Sequence, residues 1–356
     1  MAETIQVGVV GFGVAGRVFH CPFVAAVPGL TLSTIVQRSG DQAAHAYPSA
    51  TIVRSVEELL DNPQIDLVCV ATPNDSHYEV ARKSLEAGKH VVVDKPLART
   101  SQEAQELIEL ARATRLILAP FQNRRWDGDF LTLKKLLQQQ KLGRVISIES
   151  HFDRYRPILR EGTWKEKESE SNGVLFDLGP HLIDQAFALF GPPKTVTATI
   201  RRDRDDTLIE DAFDIALQYD RLIYWCRATL LAADPAPRFL AHGTAGSYRK
   251  LGVDLQEPVL LAGAKLPRWG EGEWHAEPED LWGELTLAPK LDEPAKLLKT
   301  KVQTELGDYR RFYANVRDAM LGKSELEVKP QDALNVMRTL ELARASARQA
   351  RTLAFN

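Results

Sequence analysis

Cysteine is scarce in this sequence: Cys21, Cys69 and Cys226 are the only three in 356 residues. They lie far apart and form neither a CxxC pair nor a metal-ligand spacing, so a disulfide scaffold and a cysteine-built zinc site are excluded. Reduced thiols in a cytoplasmic protein, and no metal, are the expectation. An excess of one charge is also missing. Lys plus Arg number 45 against 48 Asp plus Glu, for a net charge of −3, so the basic excess that supplies non-specific affinity for nucleic acid or an anionic membrane is absent. No apolar run approaches the roughly 18 residues that a membrane span needs, and no basic stretch with an apolar block and a small-residue cleavage site opens the chain. Internal repeats and low-complexity tracts are lacking too. What is present is an ordinary globular composition, 44% hydrophobic and 26% charged, and a length that at roughly 100 to 200 residues per domain makes about two domains.

The first third alternates short β-branched runs with helical patterns, the signature of βαβ units and a parallel sheet covered on both faces. Strands are expected at Ile5 to Val10, Leu30 to Val36, Leu67 to Ala71, His90 to Val93 and Leu116 to Phe121. Asp75 or Ser76 is expected to cap a helix that Gly88 ends, and Thr100 with Glu103 has capping-box spacing. The boundary falls near Gln122, giving domains 1–121 and 122–356. Beyond it strands alternate in and out, as a sheet with one covered face requires, with a hairpin at Ala212 to Tyr219 and Leu222 to Leu231. Helical stretches at Phe130 to Leu137 and His181 to Phe190, and two more at the end of the chain, make this part α+β.

Gly11, Gly13 and Gly16 form GxGxxG directly after the first strand, where a helix must begin. Glycines there permit a tight turn and close backbone approach, and a helix N-terminus presents N–H groups to a pyrophosphate. Gly11, Phe12, Gly13, Val14, Ala15 and Gly16 are therefore the candidate dinucleotide turn. A carboxylate at the end of the second strand would accept from a ribose 2′-OH and repel a 2′-phosphate. The chain reads Gln37, Arg38, Ser39 instead, so Arg38 and Ser39 point to NADP. The alternative is that Arg38 is a solvated loop residue and Asp41 reaches the ribose, which would restore NAD.

Two further segments carry chemistry. The expected strand His90 to Val93 is followed by Asp94, Lys95, Pro96, which puts Lys95 at a strand's carboxyl end, the side where ligands bind in an open α/β sheet. A lysine there can donate to a reacting oxygen; the alternative is a surface lysine turned outward by Pro96. Farther on, Asp177 stands four residues before His181, and Pro180 suits the first turn of a helix that would start there. A histidine can take a hydroxyl proton near neutrality with a carboxylate to orient it, although the same spacing also fits a helix cap followed by a buried histidine.

GFGVAG after the first strand, ATPNDSHYEVARKSLEAGKHVVVDKP from Ala71 to Pro96, and GVLFDLGPHLID from Gly173 to Asp184 together resemble the glucose-fructose oxidoreductase, inositol dehydrogenase and MocA (Gfo/Idh/MocA) family. QRSGD, QNRRWDGDF and DRYRP, beginning at Gln37, Gln122 and Asp153, resemble a bacterial branch that includes an NADP-dependent scyllo-inositol dehydrogenase. The resemblance implies an α/β fold: a Rossmann doubly wound parallel sheet, then an α+β domain with a mostly antiparallel open sheet that binds substrate and builds a homodimer or homotetramer. It implies that Lys95, Asp177 and His181 are catalytic, and that Thr72, Pro73, Asn74, His77, Asp94, Asn123 and Arg124 lie along the cofactor. Asp94 departs from the glutamate usual at its position and is one methylene shorter.

The expectation is an NADP-dependent dehydrogenase of a polyol or sugar hydroxyl, in which His181 takes the proton, Lys95 hydrogen-bonds the same oxygen and Asp177 orients His181. Trp126, Asp153, Tyr155, Arg156 and Trp164 are candidate substrate contacts, each with a packing or ion-pair alternative. A non-enzymatic dinucleotide-sensing regulator, an NAD-dependent sugar dehydrogenase and a glycosidase with a tightly held nicotinamide are the competing functions.

Overall fold

The computed structural model describes residues 4–160, 162–163, 166–169, 172–272, 274, 276–288 and 296–355. The chain forms two compact units. The first comprises Met1–Asn123, Glu257–Trp274 and Asp308–Met337; the second comprises Arg124–Gln256, His275–Gly307 and Arg338–Asn356.

In the first unit six parallel strands, β1 (Ile5–Val10), β2 (Leu30–Val36), β3 (Thr51–Val53), β4 (Leu67–Val70), β5 (His90–Val93) and β6 (Leu118–Pro120), lie in the order β3-β2-β1-β4-β5-β6. This is the Rossmann order, whose reversal falls between β1 and β4, and ligands bind there at the strands' carboxyl ends. Val7, Val9, Val68, Val70, Val91 and Val93 are fully buried. Each such side chain contributes about 1.5–3 kcal/mol on leaving water. Strand β3 escapes the sequence pattern because three residues at a sheet edge are too few to show alternation.

Side-chain capping sets two helix starts here. Ser55 Oγ accepts from Glu58 N at 3.2 Å to start Val56–Leu60, and Thr100 Oγ1 accepts from Glu103 N at 3.1 Å to start Ser101–Thr114. The reciprocal half of the box is displaced, because Glu103 Oε2 accepts from Arg99 N at 3.0 Å. Helix His77–Glu86 ends at Gly88 (φ 76°), but the expected side-chain cap is not made. Ser76 Oγ donates instead to Thr72 Oγ1 at 2.8 Å and Pro73 O at 2.9 Å, tightening the loop after β4.

The second unit holds a nine-stranded sheet: β7 (Val145–His151), β8 (Thr195–Arg201), β9 (Ala212–Gln218), β10 (Ile223–Thr229), β11 (Phe239–Gly243), β12 (Gly246–Lys250), β13 (Gly283–Leu287), β14 (Leu298–Val302) and β15 (Leu353–Ala354). Their order is β14-β13-β12-β11-β7-β10-β9-β8-β15. All pairs are antiparallel except β7 with β10. The β9–β10 hairpin is the expected one. Helix Val174–Phe190 covers one face, against which Tyr224, Cys226, Phe213, Ile215, Leu217 and Val196 are buried. On the other face Trp225, Arg227, Asp214 and Glu149 stand half-buried.

That helix begins at Val174, seven residues before the start suggested by Pro180. Gly173 (φ 92°) turns the chain into it, and a Cβ there would lie 2.6 Å from Glu210 Oε2. Pro180 consequently sits inside the helix, where it forgoes an N–H bond. Packing outweighs that loss, since Leu175, Leu182, Ile183 and Ala186 are completely buried around it. Among the described residues no helix is long and apolar enough to cross a membrane, and no group of three or more His, Cys, Asp or Glu is placed to hold a metal. All three cysteines are buried thiols.

Candidate functional site

The glycine turn joins β1 to a helical run that starts with a π-helical turn, Ala15–His20, and continues as Cys21–Ala26. Gly11 (φ 105°) has no room for a side chain, because a Cβ would lie 2.6 Å from Ala71 O, and at Gly16 a Cβ would lie 2.0 Å from Gly11 O. Packing thus requires both glycines. Gly13 has neither reason: its φ is not positive and a Cβ would meet nothing within 4 Å. A residue kept minimal beside open space at a helix start fits a pyrophosphate, whose oxygens need that space and those N–H groups. Gly13 and Val14 are exposed, while Phe12 is half-buried edge-on to Tyr47 with ring centroids 6.1 Å apart.

Beyond β2 the chain is pinned from both sides. Gln37 is buried, its Oε1 accepting from Ala43 N at 2.8 Å and its Nε2 donating to Gln42 Oε1 at 2.7 Å. Arg54, which the sequence reading passed over, donates from Nη1 to the Gln37 and Gly40 carbonyls, each at 2.8 Å. Arg38 and Ser39, between those carbonyls, are exposed and their side chains have no hydrogen-bond partner among the described residues. The donor set fits a phosphate monoester. Asp41, the alternative ribose contact, lies exposed at the start of Gln42–Ala46 with His45 Nδ1 3.8 Å from its Oδ2.

His77 ties two loops together. Its ring is buried, with Nδ1 2.7 Å from Pro96 O and Nε2 2.9 Å from Thr72 O, so it fixes the turn holding Thr72, Pro73 and Asn74 to the segment after β5. In that segment Asp94 Oδ1 accepts from Lys95 N at 2.7 Å, and Asp94 Oδ2 faces His20 Nε2 at 3.7 Å. Burial would raise the Asp94 carboxyl, but the neighbouring His20, joined by Lys95 and His77, outweighs it and holds the carboxyl below its usual range.

In the second unit Asp177 and His181 lie one turn apart on the long helix, so both project from one face. His181 is buried, its ring edge-on to Phe152 at 6.4 Å, and Asp177 is half-exposed with Arg154 Nη1 3.9 Å from its Oδ2. Arg154 is a residue the sequence reading missed although it lies between two candidates. The next turns of the helix hold the segment containing Arg124 and Trp126. Asp184 takes Arg125 in a two-pronged ion pair at 2.8 and 2.7 Å, and Gln185 Nε2 donates to Arg124 O at 2.9 Å. Gln185 Oε1 in turn accepts from Arg238 Nη2 at 2.6 Å; Arg238 also donates to Ser150 Oγ at 2.6 Å and lies 3.4 Å from Asp129 and 4.0 Å from the Phe152 ring.

The substrate candidates divide. Trp126 is buried with its carbonyl held by Gln256 Nε2 at 3.1 Å. Asp153 is occupied by His151 Nδ1 at 3.3 Å and Ala236 N at 3.2 Å. Tyr155 is 60% exposed, Arg156 is half-buried with its N–H on Leu230 O at 2.7 Å, and Trp164 lies outside the described residues. Asn123 and Arg124 are buried, and Arg124 stacks 5.4 Å from the Phe152 ring.

A Rossmann sheet whose phosphate turn keeps one glycine for open space, with an α+β unit beside it in sequence, defines a class of dinucleotide-dependent oxidoreductases. Family profiles agree over both parts. Residues 5–121 match the Gfo/Idh/MocA oxidoreductase family's NAD-binding Rossmann fold and residues 134–355 match its C-terminal alpha/beta domain, so the chain belongs to the Gfo/Idh/MocA family. It is 40% identical over 353 residues to an uncharacterized oxidoreductase, YdgJ, of Escherichia coli, covering 99% of both chains. It is 34% identical over 351 residues to scyllo-inositol 2-dehydrogenase (NADP(+)) IolW of Bacillus subtilis, covering 99% of this chain and 96% of that one. Among solved structures, the oxidoreductase yvaA of Bacillus subtilis superposes with a TM-score of 0.94 at 32% identity, covering 100% of this chain and 99% of that one. The protein is an oxidoreductase of this family with a nicotinamide-dinucleotide-binding Rossmann domain.

Proposed function

We propose that the protein is an NADP-dependent dehydrogenase acting on a secondary alcohol of a cyclitol or sugar, of which scyllo-inositol is the first candidate. The observation that carries the reading is the one-turn spacing of Asp177 and His181 on a buried helix, in a chain that also has Lys95 at a strand's carboxyl end. A sensor of dinucleotide alone needs neither a buried imidazole nor a carboxylate one turn away. NADP use is supported by Arg38 and Ser39 at the end of β2 and by likeness to IolW, which is named for that cofactor.

When bound, the nicotinamide supplies a hydride acceptor or donor. His181 removes the hydroxyl proton at a ring nitrogen, and Asp177 balances the imidazolium that forms, with Arg154 limiting how strongly it does so. Lys95 Nζ is proposed as a hydrogen-bond donor to a substrate hydroxyl oxygen. Arg38 and Ser39 would donate to the 2′-phosphate, and the turn Gly11 to Gly16 would receive the pyrophosphate. A cytoplasmic homodimer or homotetramer belongs to the same reading. The half-buried sheet face carrying Trp225 and Arg227 supports an assembly surface, and three buried thiols suit a reducing compartment.

The test is absorbance at 340 nm with inositol isomers and aldoses, run with each cofactor. Net NADPH formation from a free polyol is expected, and NADPH-neutral release of an aglycone from a glycoside would replace the reading with a glycosidase. His181→Ala is expected to lower turnover on the order of a hundredfold or more while NADP still binds. Unchanged turnover would remove His181 from the mechanism.

A further inference from the structure

We propose that His20 is a positioning residue for Lys95, acting through the Asp94 carboxylate. The inference rests on the reading of Lys95 as the donor to the reacting oxygen, and concerns what keeps that lysine in place.

His20 closes the π-helical turn that follows the glycine loop, where the widened winding, with Cys21 N–H reaching back to Gly16 O, carries it into the interior. It is fully buried. Its Nδ1 lies 2.6 Å from Tyr313 Oη, and its ring packs against Phe121 at 4.5 Å between centroids. Tyr313 is itself buried, and its hydroxyl also lies 3.5 Å from Cys69 Sγ on β4. With the tyrosine proton turned to Nδ1, the nearer of its two contacts, the neutral imidazole carries its own proton at Nε2. The imidazole is therefore held from two elements and cannot turn.

Only Nε2 remains. It has no hydrogen-bond partner among the described residues although it is completely buried, a condition that is costly when nothing answers it. Asp94 Oδ2 stands 3.7 Å away, so a small turn of the carboxylate makes the bond. The other oxygen of Asp94 already accepts the Lys95 N–H, which means the carboxylate orientation and the lysine backbone move together. Glutamate, one methylene longer, would not present its two oxygens to both groups from the same backbone position. The departure from the family's usual residue thus has a partner in His20. The charged and titratable groups facing this pair are Lys95 and His77 on the Asp94 side, and Tyr313 with Cys69 behind it on the imidazole side. The Cys69 thiol is pushed up to about 12 by burial and stays neutral.

His20→Asn keeps an amide near Tyr313 and removes the arm that reaches Asp94, whereas His20→Gln restores a donor at that length. In the full-length protein, His20→Asn is expected to lower kcat about tenfold or more, move the pH profile of kcat and leave NADP affinity within about twofold. His20→Gln should recover most of the loss. A merely structural histidine would lower the melting temperature in both variants and leave kcat per folded site and its pH profile unmoved, and that result overturns the proposal. A second measurement separates this from the dehydrogenase reading. In 13C-lysine-labelled protein without cofactor or substrate, the Lys95 signal, assigned with Lys95→Arg, should titrate differently in His20→Asn and Asp94→Asn than in wild type. A shifted titration in a protein that oxidises no polyol keeps the positioning role and sinks the redox one. An unshifted titration with full turnover does the reverse. Should His20→Asn not fold, Tyr313→Phe and Asp94→Asn report on the same signal.

Discussion

The first unit keeps its candidate residues on loops after parallel strands, each held by a few backbone bonds and a single ring, His77 or His20, while the second keeps Asp177 and His181 on a buried helix tied down by ion pairs. A loop at a strand end is held here by one or two bonds from a ring or guanidinium of another segment, as His77 and Arg54 show. The helix gains its geometry from Arg125, Arg238 and Ser150, which lie 24 or more residues away from it. The difference teaches that the half proposed to hold the cofactor tolerates change in its surroundings, whereas the half proposed to handle the proton rests on buried charge that fails sharply when one partner is removed.

The largest expected effect tests that contrast directly. Asp184→Ala removes the two-pronged carboxylate partner of the Arg125 guanidinium, which is only 13% exposed, and should cost about 3–5 kcal/mol in urea unfolding. Glu57→Ala in the first unit breaks only the exposed pair with Lys83 and should leave the unfolding midpoint unmoved. Comparable losses in the two variants would erase the distinction.

A second prediction sharpens it through pH. Burial, with Asp129 nearby, raises the Asp254 carboxyl from 3.8 to about 6. The folded chain therefore binds this proton more tightly than the unfolded one. The contribution favours folding below about pH 4 and is lost as pH rises through about 6, amounting to about 3 kcal/mol. Asp254→Asn should gain on the wild type by that amount between pH 4 and pH 7. A pH-independent difference between the two would show that Asp254 is not held protonated by the fold.

The smallest effect belongs to the loop of the first unit. Arg38→Ala should weaken NADP about tenfold relative to NAD by titration calorimetry, with no change in unfolding. Equal weakening of both dinucleotides would remove the phosphate contact and return attention to Asp41.

What could be read from the chain followed the same division. The parallel sheet, the glycine turn and the Arg38–Ser39 pair were legible because each is a local pattern: β-branched runs, GxGxxG spacing, and the residues just beyond β2. Arg54 was not, since nothing in its own neighbourhood reveals that its guanidinium returns to Gln37 and Gly40. The helix bearing Asp177 and His181 was placed too late because Pro180 obeys a rule for first turns that tertiary packing overrode. Strands β11 to β14 went unread, as Lys299 and Lys301 on β14 carry the charge typical of a sheet edge rather than an alternating apolar face. The return of Asp308–Met337 to the first unit is a fact of topology that no window of sequence contains.

The one parallel pair in the nine-stranded sheet sets an order of events during folding. Residue 147 on β7 must find residue 223 on β10, and the entire helix from Val174 to Phe190 lies in the chain that joins them. Closing so long a segment is slow compared with zipping the adjacent β9–β10 hairpin. Asp177 and His181 therefore sit in a segment whose final surroundings wait on a long-range strand pair, and the hairpin beside it offers the helix a surface first.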